Sequence, residues 1–352
     1  MSQALLDHAT TTIKVGSKSF AAAARLFPAD TRRSVLMLYA WCRHCDDVVD
    51  GQELGFAAKP AAAGATVPVT DPAHSAMASL AELREQTRRA YAGEKMTDPA
   101  FAAFQEVALR HAIAPHHAFD HLAGFAMDVE QAHYETIDDT LRYCYRVAGV
   151  VGLMMATIMG ASKPAVLDRA CDLGLAFQLT NIARDIIDDA AIGRCYLPAA
   201  WLREAGIAPH ELALPQHRAA LAGVAARLVD YAEPYYASAD VGIAALPLRS
   251  AWAIATARNV YRQIGVEVKA RGAQAWDRRV GTTRAAKLWL LLKGGVRALT
   301  SRGQAMAPRE SGLWQRPQPV LPLSASLEGL EVALQPTAGV AARRHAAHAT
   351  DA

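Results

Sequence analysis

The sequence predicts an all-α protein built around one large helical domain. Apolar residues recur at helical spacing from residue 31 to residue 269, and no alternating run of apolar and polar residues predicts a competing strand. Hydrophobic residues make up 52% of the 352-residue chain and charged residues 20%, which is enough apolar surface for a large core. We therefore expect packed helices rather than a sheet or an extended chain.

The apolar periodicity predicts the helices in order. They cover residues 31–50, 76–92, 99–110, 115–130, 136–159, 164–189, 216–238 and 247–269. Pro28 and Asp30 precede the first helix, Asp98 and Pro99 start the third, and Asp138 opens the fifth, all residues favoured at helix N-termini.

Two segments lack this periodicity. Residues 57–77 are rich in Ala and Pro, which predicts an exposed, mobile loop that directly follows the first helix and is a candidate lid. From residue 305 to residue 352, Pro, Ser, Arg, His and Ala replace the pattern, which predicts a disordered C-terminal tail. The helical domain is therefore expected to span residues 1–300.

Charge and cysteine content narrow the class of protein. A net charge of +3 with scattered basic residues does not favour a nucleic-acid partner. The charged N-terminus lacks the apolar run of a secretory signal, so a cytoplasmic protein is expected. Residues 147–161 are apolar but shorter than the roughly 20 residues of a membrane-spanning helix. Five cysteines, including the isolated pair Cys42 and Cys45, predict reduced thiols.

The first predicted helix carries an acidic stripe. Its polar residues fall at offsets 0, 4, 7 and 11, which places them on one face at 3.6 residues per turn. These residues are Tyr39, Arg43, Asp46 and Asp50. Asp47 lies off this face.

The helix over 164–189 carries a second acidic stripe at offsets 0, 3, 7 and 11. Its residues are Gln178, Asn181, Asp185 and Asp189. Carboxylates one turn apart repel each other unless water or a cation separates them, and Mg²⁺ prefers oxygen ligands while keeping waters and phosphates in its shell. Two matching stripes favour a Mg²⁺-diphosphate site over two exposed helix ends.

Three sequence motifs stand out, at residues 173–198, at 143–159, and at 15–20 followed by 39–50. Through them the chain strongly resembles the squalene and phytoene synthase family, and its phytoene-forming bacterial members in particular. The most specific is LGLAFQLTNIARDIIDDAAIGRCYLP at 173–198. The others are YCYRVAGVVGLMMATIM at 143–159, and VGSKSF at 15–20 followed by YAWCRHCDDVVD at 39–50. The resemblance covers residues 10–300.

This resemblance implies an isoprenoid synthase fold, a single domain of packed helices around a deep cavity with the two acidic stripes facing each other at its mouth. Asp46, Asp50, Asp185, Asp189 and Asn181 are then expected to bind Mg²⁺, with Mn²⁺ as a substitute. The residues expected against substrate diphosphates are Ser17, Ser19, Tyr39, Arg43, Gln178, Arg194, Tyr196, Tyr261 and Arg279. Phe20, Phe177 and Tyr145 are candidates to face a substrate cation.

The implied reaction is the head-to-head condensation of two geranylgeranyl diphosphates, via prephytoene diphosphate, to phytoene and two diphosphates in carotenoid synthesis. Because it ends in proton loss, NADPH is not expected. Dehydrosqualene or squalene synthesis from two farnesyl diphosphates remains an alternative, since chain length depends on the cavity floor. Two polyprenyl substrates and an insoluble product imply weak association with the inner face of the membrane, and contact with other carotenoid-pathway enzymes.

Readings from other classes have less support in the sequence. A non-catalytic helical relative is an alternative, but all four stripe aspartates are present. A di-iron bundle expects two Glu-x-x-His motifs, and only Glu130 with His133 fits. The motifs G-x-S-x-G and H-E-x-x-H of hydrolases are absent from the sequence.

Overall fold

Helices dominate the computed structural model, which describes residues 3–16, 21, 23–53, 56–57 and 72–318, and the all-α prediction is confirmed. The α-helices are α1 Gln3–Gly16, α2 Ala29–Asp50, α3 Pro72–Tyr91, α4 Pro99–Arg110, α5 Pro115–Val129, α6 Ile137–Cys144, α7 Val150–Ile158, α8 Pro164–Ala191, α9 Ala199–Glu204, α10 Arg218–Gly242, α11 Leu248–Arg271 and α12 Arg284–Thr300. A hairpin that the sequence did not predict pairs β1 (Gln52–Glu53) antiparallel with β2 (Phe56–Ala57).

The predicted loop over 57–77 needs a correction at its C-terminal end. Helix α3 begins at Pro72, so Pro72–Met77 belongs to a helix. Proline suits this first turn because its fixed φ matches the helix and its missing N–H would have no partner there. Residues 58–71 of the predicted loop lie outside the described residues.

The prediction that the tail is disordered from residue 305 is wrong for its first part. Residues 305–316, which we call the strap, belong to the same compact unit as the helices, and that unit ends at Arg316 rather than at residue 300. Arg309 donates two hydrogen bonds to the carboxylate of Asp172, of 2.9 and 2.7 Å, and Arg316 donates one of 2.7 Å to Asp168. Residues 319–352 lie outside the described residues.

The core consists of two apolar clusters. One centres on α2, where Trp41 is fully buried and stacks on Phe104 with ring centroids 4.1 Å apart. The other surrounds α8, which packs along α10 and α11. Since the long helices α2 and α8 also carry the two acidic stripes, the two clusters position both stripes.

Helix α8 packs closely against the segment that includes α7, because small residues face each other there. A Cβ on Gly152 of α7 would lie 2.3 Å from the carbonyl oxygen of Ala170, and a Cβ on Gly174 of α8 would lie 2.3 Å from that of Ala148. Residues Tyr145–Gly149 between α6 and α7 form a π-helical turn, a feature that is frequent at functional sites. The glycines of this region therefore serve close helix packing.

Candidate active site

A cavity of about 880 Å³ lies between the two apolar clusters. Its apolar lining comes from both of them, for example Met155 and Met159 of one and Leu173 and Phe177 of the other. The polar lining residues include Arg43, Asp46, Asn181 and Arg194, and we call the part of the cavity that they line the mouth. Helix α8 contributes lining residues from Val166 to Arg184, and at about 1.5 Å per residue this corresponds to a length of about 27 Å.

The stripe of α2 reaches the mouth through Asp46. Arg43 donates a 2.9 Å hydrogen bond to Asp46 and also forms an ion pair with Asp47 at 3.1 Å. Burial raises the pKa of Asp46 to about 6, and the negative charge of Asp50 adds to this effect against the opposing charge of Arg43. This end of α2 is therefore rich in negative charge that the nearby arginine only partly offsets.

Arg194 lies between the two stripes. Its guanidinium donates two hydrogen bonds to the carboxylate of Asp50, one of them 3.2 Å long. Its positive charge also lowers the pKa of Asp189 on α8, against the larger effect of burial. The stripes of α2 and α8 therefore meet around one cation.

Arginines also neutralise the stripe of α8. Arg184 donates a 2.8 Å hydrogen bond to Asp185, and Arg279 donates one of 2.9 Å to the same carboxylate. Asp189 has a different environment, since burial first and Asp185 second raise the pKa of Asp189 to about 7.

Asp128 on α5 is a mouth residue that the sequence reasoning missed. Its carboxylate accepts hydrogen bonds from the hydroxyls of Tyr196 (2.8 Å) and Tyr143 (3.2 Å), and burial raises the pKa of Asp128 to about 6 against the charge of Arg194. The sequence did contain a periodic signal that includes Asp128. His121, Phe125 and Asp128 fall at offsets 0, 4 and 7, which is one helical face, and all three line the cavity.

The donor set at the mouth suits a hard cation that arrives with phosphate. The Oδ1 atom of Asn181 is buried and accepts no hydrogen bond from any residue that the structure describes. An unsatisfied buried oxygen beside several carboxylates fits a Mg²⁺ ligand. Among the described residues, no group of three His, Cys, Asp or Glu side chains is placed to hold a metal ion by itself. The arrangement therefore fits Mg²⁺ with substrate oxygens completing its shell.

The structure brings most of the predicted site residues to the mouth. Those that line the cavity are Tyr39, Arg43, Asp46, Gln178, Asn181, Arg194, Tyr261 and Arg279. Asp50 and Asp185 are held by the arginines described above, and Tyr196 points its hydroxyl at Asp128. Ser17 and Ser19 lie outside the described residues.

The three aromatic residues predicted to face a substrate cation differ in their positions. Phe177 lines the cavity and stacks on Tyr261 with ring centroids 4.2 Å apart. Tyr145 instead donates a 2.8 Å hydrogen bond to Asp120, and its ring packs against Trp314 of the strap. Phe20 lies outside the described residues. Phe177 is thus the candidate that has a face on the cavity.

We expect Asp189→Asn to stabilise the metal-free protein at pH 8. Because the pKa of Asp189 is raised to about 7, the stability contributed by its neutral form is fully present below its unfolded pKa of about 3.9 and is lost as pH rises through about 7. The variant carries no charge at any pH. Urea unfolding with EDTA should show a higher midpoint for the variant at pH 8 and equal midpoints near pH 3.5.

The exposed neighbour Asp188 provides the control for this prediction. Asp188→Asn should raise the urea midpoint at pH 8 far less than Asp189→Asn does, because Asp188 is exposed and its charge makes a smaller contribution to the raised pKa of Asp189 than burial and Asp185 do. A lower midpoint for Asp189→Asn at pH 8 would contradict the prediction, because it would mean that the carboxylate stabilises the folded state.

The comparisons with known proteins agree with the fold. The class of protein is defined by its fold, which is the all-α isoprenoid synthase fold with two acidic helices near the cavity mouth. The family model for squalene/phytoene synthase matches residues 13–286, and the chain belongs to that family. The 15-cis-phytoene synthase of Pantoea ananas is 62% identical over 313 residues, which cover 89% of this chain and 98% of that protein.

A second bacterial relative and a solved structure are also similar to this chain. The phytoene synthase of Pseudescherichia vulneris is 60% identical over 313 residues, which cover 89% of this chain and 98% of that protein. A crystal structure of a dehydrosqualene synthase in complex with ligand superposes with a TM-score of 0.71 at 27% identity, covering 85% of this chain and 98% of the other. These matches span nearly the whole length of each relative.

Proposed function

We propose that this protein is a prenyltransferase that condenses two geranylgeranyl diphosphates head to head into phytoene, with release of two diphosphates. The observation that carries the proposal is the largely apolar cavity with Asp46 of α2 in its lining, where Arg194 and Arg279 also pair with the stripe aspartates Asp50 and Asp185. Identities of 60–62% to relatives named phytoene synthase support the C20 substrate over the C15 substrate. The presence of all four stripe aspartates disfavours a non-catalytic role.

The first step of this reaction breaks a carbon–oxygen bond of one substrate, and the diphosphate leaves with the electron pair. Mg²⁺, when bound by Asp46, Asp50, Asp185, Asp189 and Asn181, would supply positive charge to the departing oxygens. Arg43, Arg194 and Arg279 line the cavity, and we infer that they bind the same oxygens. These arginines pair with aspartates in the free protein, so we infer that they exchange carboxylate for diphosphate when the substrate arrives.

The apolar part of the cavity holds the prenyl chains and excludes water from the carbocation. The double bond of the second substrate attacks the cation, and proton loss gives the cyclopropyl diphosphate. A second ionisation, rearrangement and proton loss then give phytoene, so that hydride from NADPH is not needed. The negative face of the Phe177 ring, which lines the cavity, would stabilise the cation electrostatically.

The product test distinguishes this function from its alternatives. Purified protein is incubated with Mg²⁺ and, separately, with C15 and C20 allylic diphosphates without NADPH, and the extracted hydrocarbon is separated by chromatography. We expect a C40 hydrocarbon with the triene absorption of phytoene from the C20 substrate. A C30 product alone would assign dehydrosqualene synthesis, and no product from folded protein would favour the non-catalytic alternative.

We also propose that the protein works at the inner face of the membrane, because its substrates carry long apolar chains and its product is insoluble in water. In the part of the chain that the structure describes, every helix is too short or too polar to cross a bilayer. Contact with other enzymes of carotenoid synthesis stays a prediction.

A further inference from the structure

Helix α12 exposes an apolar stripe that its packing leaves uncovered. The buried residues of α12 all lie on one side of the helix, and they are Leu290, Gly294 and Ala298. Five large apolar residues of α12 point away from the domain and are each 52% to 62% exposed. They are Leu288, Trp289, Leu292, Val296 and Leu299. At about 100° per residue these five fall within an arc of roughly 100°, opposite the buried side.

The inner face of α12 is fixed firmly to α11. Gly294 approaches Thr256 so closely that a Cβ would lie 2.5 Å from its Oγ1, and the indole of Trp252 donates a 2.9 Å hydrogen bond to the carbonyl of Leu291. Because this face is occupied, α12 cannot rotate to bury the stripe against its own domain. The stripe is therefore a fixed property of the surface.

Positive charge borders the stripe on both sides. The exposed side chains of Arg284 and Lys293 fall on opposite edges of the arc, and the ammonium of Lys293 lies 5.2 Å from the ring centroid of Trp289. The sequence contains no Asp or Glu between Arg278 and Arg309. An apolar helix face with a tryptophan, basic edges and no acidic residue matches the surface of a helix that lies in the headgroup region of an anionic bilayer.

The helix that carries the stripe also packs against a helix that lines the candidate active site. Helix α11 contributes Ile254, Ala257 and Tyr261 to the cavity lining and packs against α12. Arg279 of the mouth precedes the first residue of α12 by only five positions. A lipid surface on α12 would therefore be close to the opening through which apolar substrates enter.

We propose that the exposed stripe of α12 is the docking surface of this protein on an anionic lipid bilayer. The inference rests on the proposed function, since that function explains why the protein needs a lipid surface. Isolated exposed apolar residues are normal on proteins, but five on one helix face are not. Two of them and the flanking cations provide separate tests of the apolar and the electrostatic contribution.

The first test measures flotation of the full-length protein with vesicles of phosphatidylcholine and phosphatidylglycerol, or of phosphatidylcholine alone. We expect the double variant Leu292→Ser and Val296→Ser to lower the partition coefficient at least tenfold on both vesicles, because apolar area no longer enters the lipid. Leu109→Ser is the matched control, since Leu109 on α4 is 52% exposed but stands apart from the stripe. It should bind vesicles like the parent.

The second test reverses the flanking charges. We expect the double variant Arg284→Glu and Lys293→Glu to lower binding to phosphatidylglycerol-containing vesicles at least tenfold, with a much smaller effect on phosphatidylcholine alone. Parent-like flotation of both double variants would overturn the proposal. So would a dimer, detected by sedimentation velocity in the absence of lipid, that the Leu292→Ser and Val296→Ser changes dissociate, because the stripe would then bind a second copy of the chain.

Activity in detergent micelles separates this inference from the proposed function. Both double variants should release diphosphate from the C20 substrate at the parental rate in micelles, because none of the four positions lies in the cavity. Vesicle binding without any hydrocarbon product would leave the docking surface intact and remove the proposed function. Product formation together with parent-like flotation of the variants would remove the docking surface and leave the proposed function intact.

Discussion

Asp50→Asn and Asp185→Asn are each expected to lower kcat at least 100-fold while leaving the helical circular dichroism unchanged. Asparagine has nearly the same shape as aspartate, so packing is preserved, but it lacks the negative charge that we propose binds Mg²⁺ and that pairs with the arginines. Single groups that stabilise developing negative charge typically contribute about 10² to 10³ in rate. The measurement is steady-state diphosphate release from the C20 substrate at saturating Mg²⁺.

The structure predicts how the two variants differ in detail. Asp50 accepts from Arg194 and lies on α2, whereas Asp185 accepts from Arg184 and Arg279 and lies on α8. Each substitution therefore releases a different set of arginines. Asp188→Asn, on the exposed side of α8, is the control and should keep parental activity. Turnover at the parental rate in either stripe variant would remove that residue from the metal site.

Arg309→Ala is expected to produce the largest loss of stability. Asp172 is fully buried, and its carboxylate accepts two hydrogen bonds from Arg309 and one from Ser238. Removing one partner of a buried ion pair typically costs about 3–5 kcal/mol, and only the more distant charge of Arg169 would then compensate that of Asp172. For a domain of this size we expect the midpoint of thermal unfolding to fall by roughly 6–10 °C.

A double variant separates loss of the pair from loss of the strap. Asp172→Asn in the Arg309→Ala background removes the unpaired charge and should recover part of the lost stability. Arg203→Ala is the matched surface control, because its ion pair with Glu135 is exposed and exposed ion pairs contribute little to stability. An unchanged midpoint for Arg309→Ala would mean that the strap does not support the domain.

The strap also illustrates where sequence reasoning fails. Its composition resembles that of a disordered tail, and Arg309 lies 137 residues from the aspartate that binds it. A long-range ion pair leaves no periodic signal in either segment. The boundaries of α4, by contrast, were predicted to the residue, because Asp98 caps its N-terminus with hydrogen bonds to the N–H groups of Ala100 and Phe101.

The site shows the same contrast. The spacing of carboxylates on α2 and α8 is a local property of each helix, so both stripes could be predicted. Asp128 was missed because its importance depends on Tyr143 and Tyr196, which other parts of the chain bring to it. The pairing of Arg194 with Asp50 over 144 residues was likewise beyond any pattern in the sequence.

The position of Arg309 near the end of the domain has a consequence for protein synthesis. Asp172 leaves the ribosome 137 residues before its partner, which corresponds to roughly 7–27 s at about 5–20 residues per second. During that interval α8 cannot bury this carboxylate against Arg309, so this ion pair forms only after the strap has emerged. A ribosome-bound chain that ends before the strap therefore lacks the cation that pairs with this buried carboxylate.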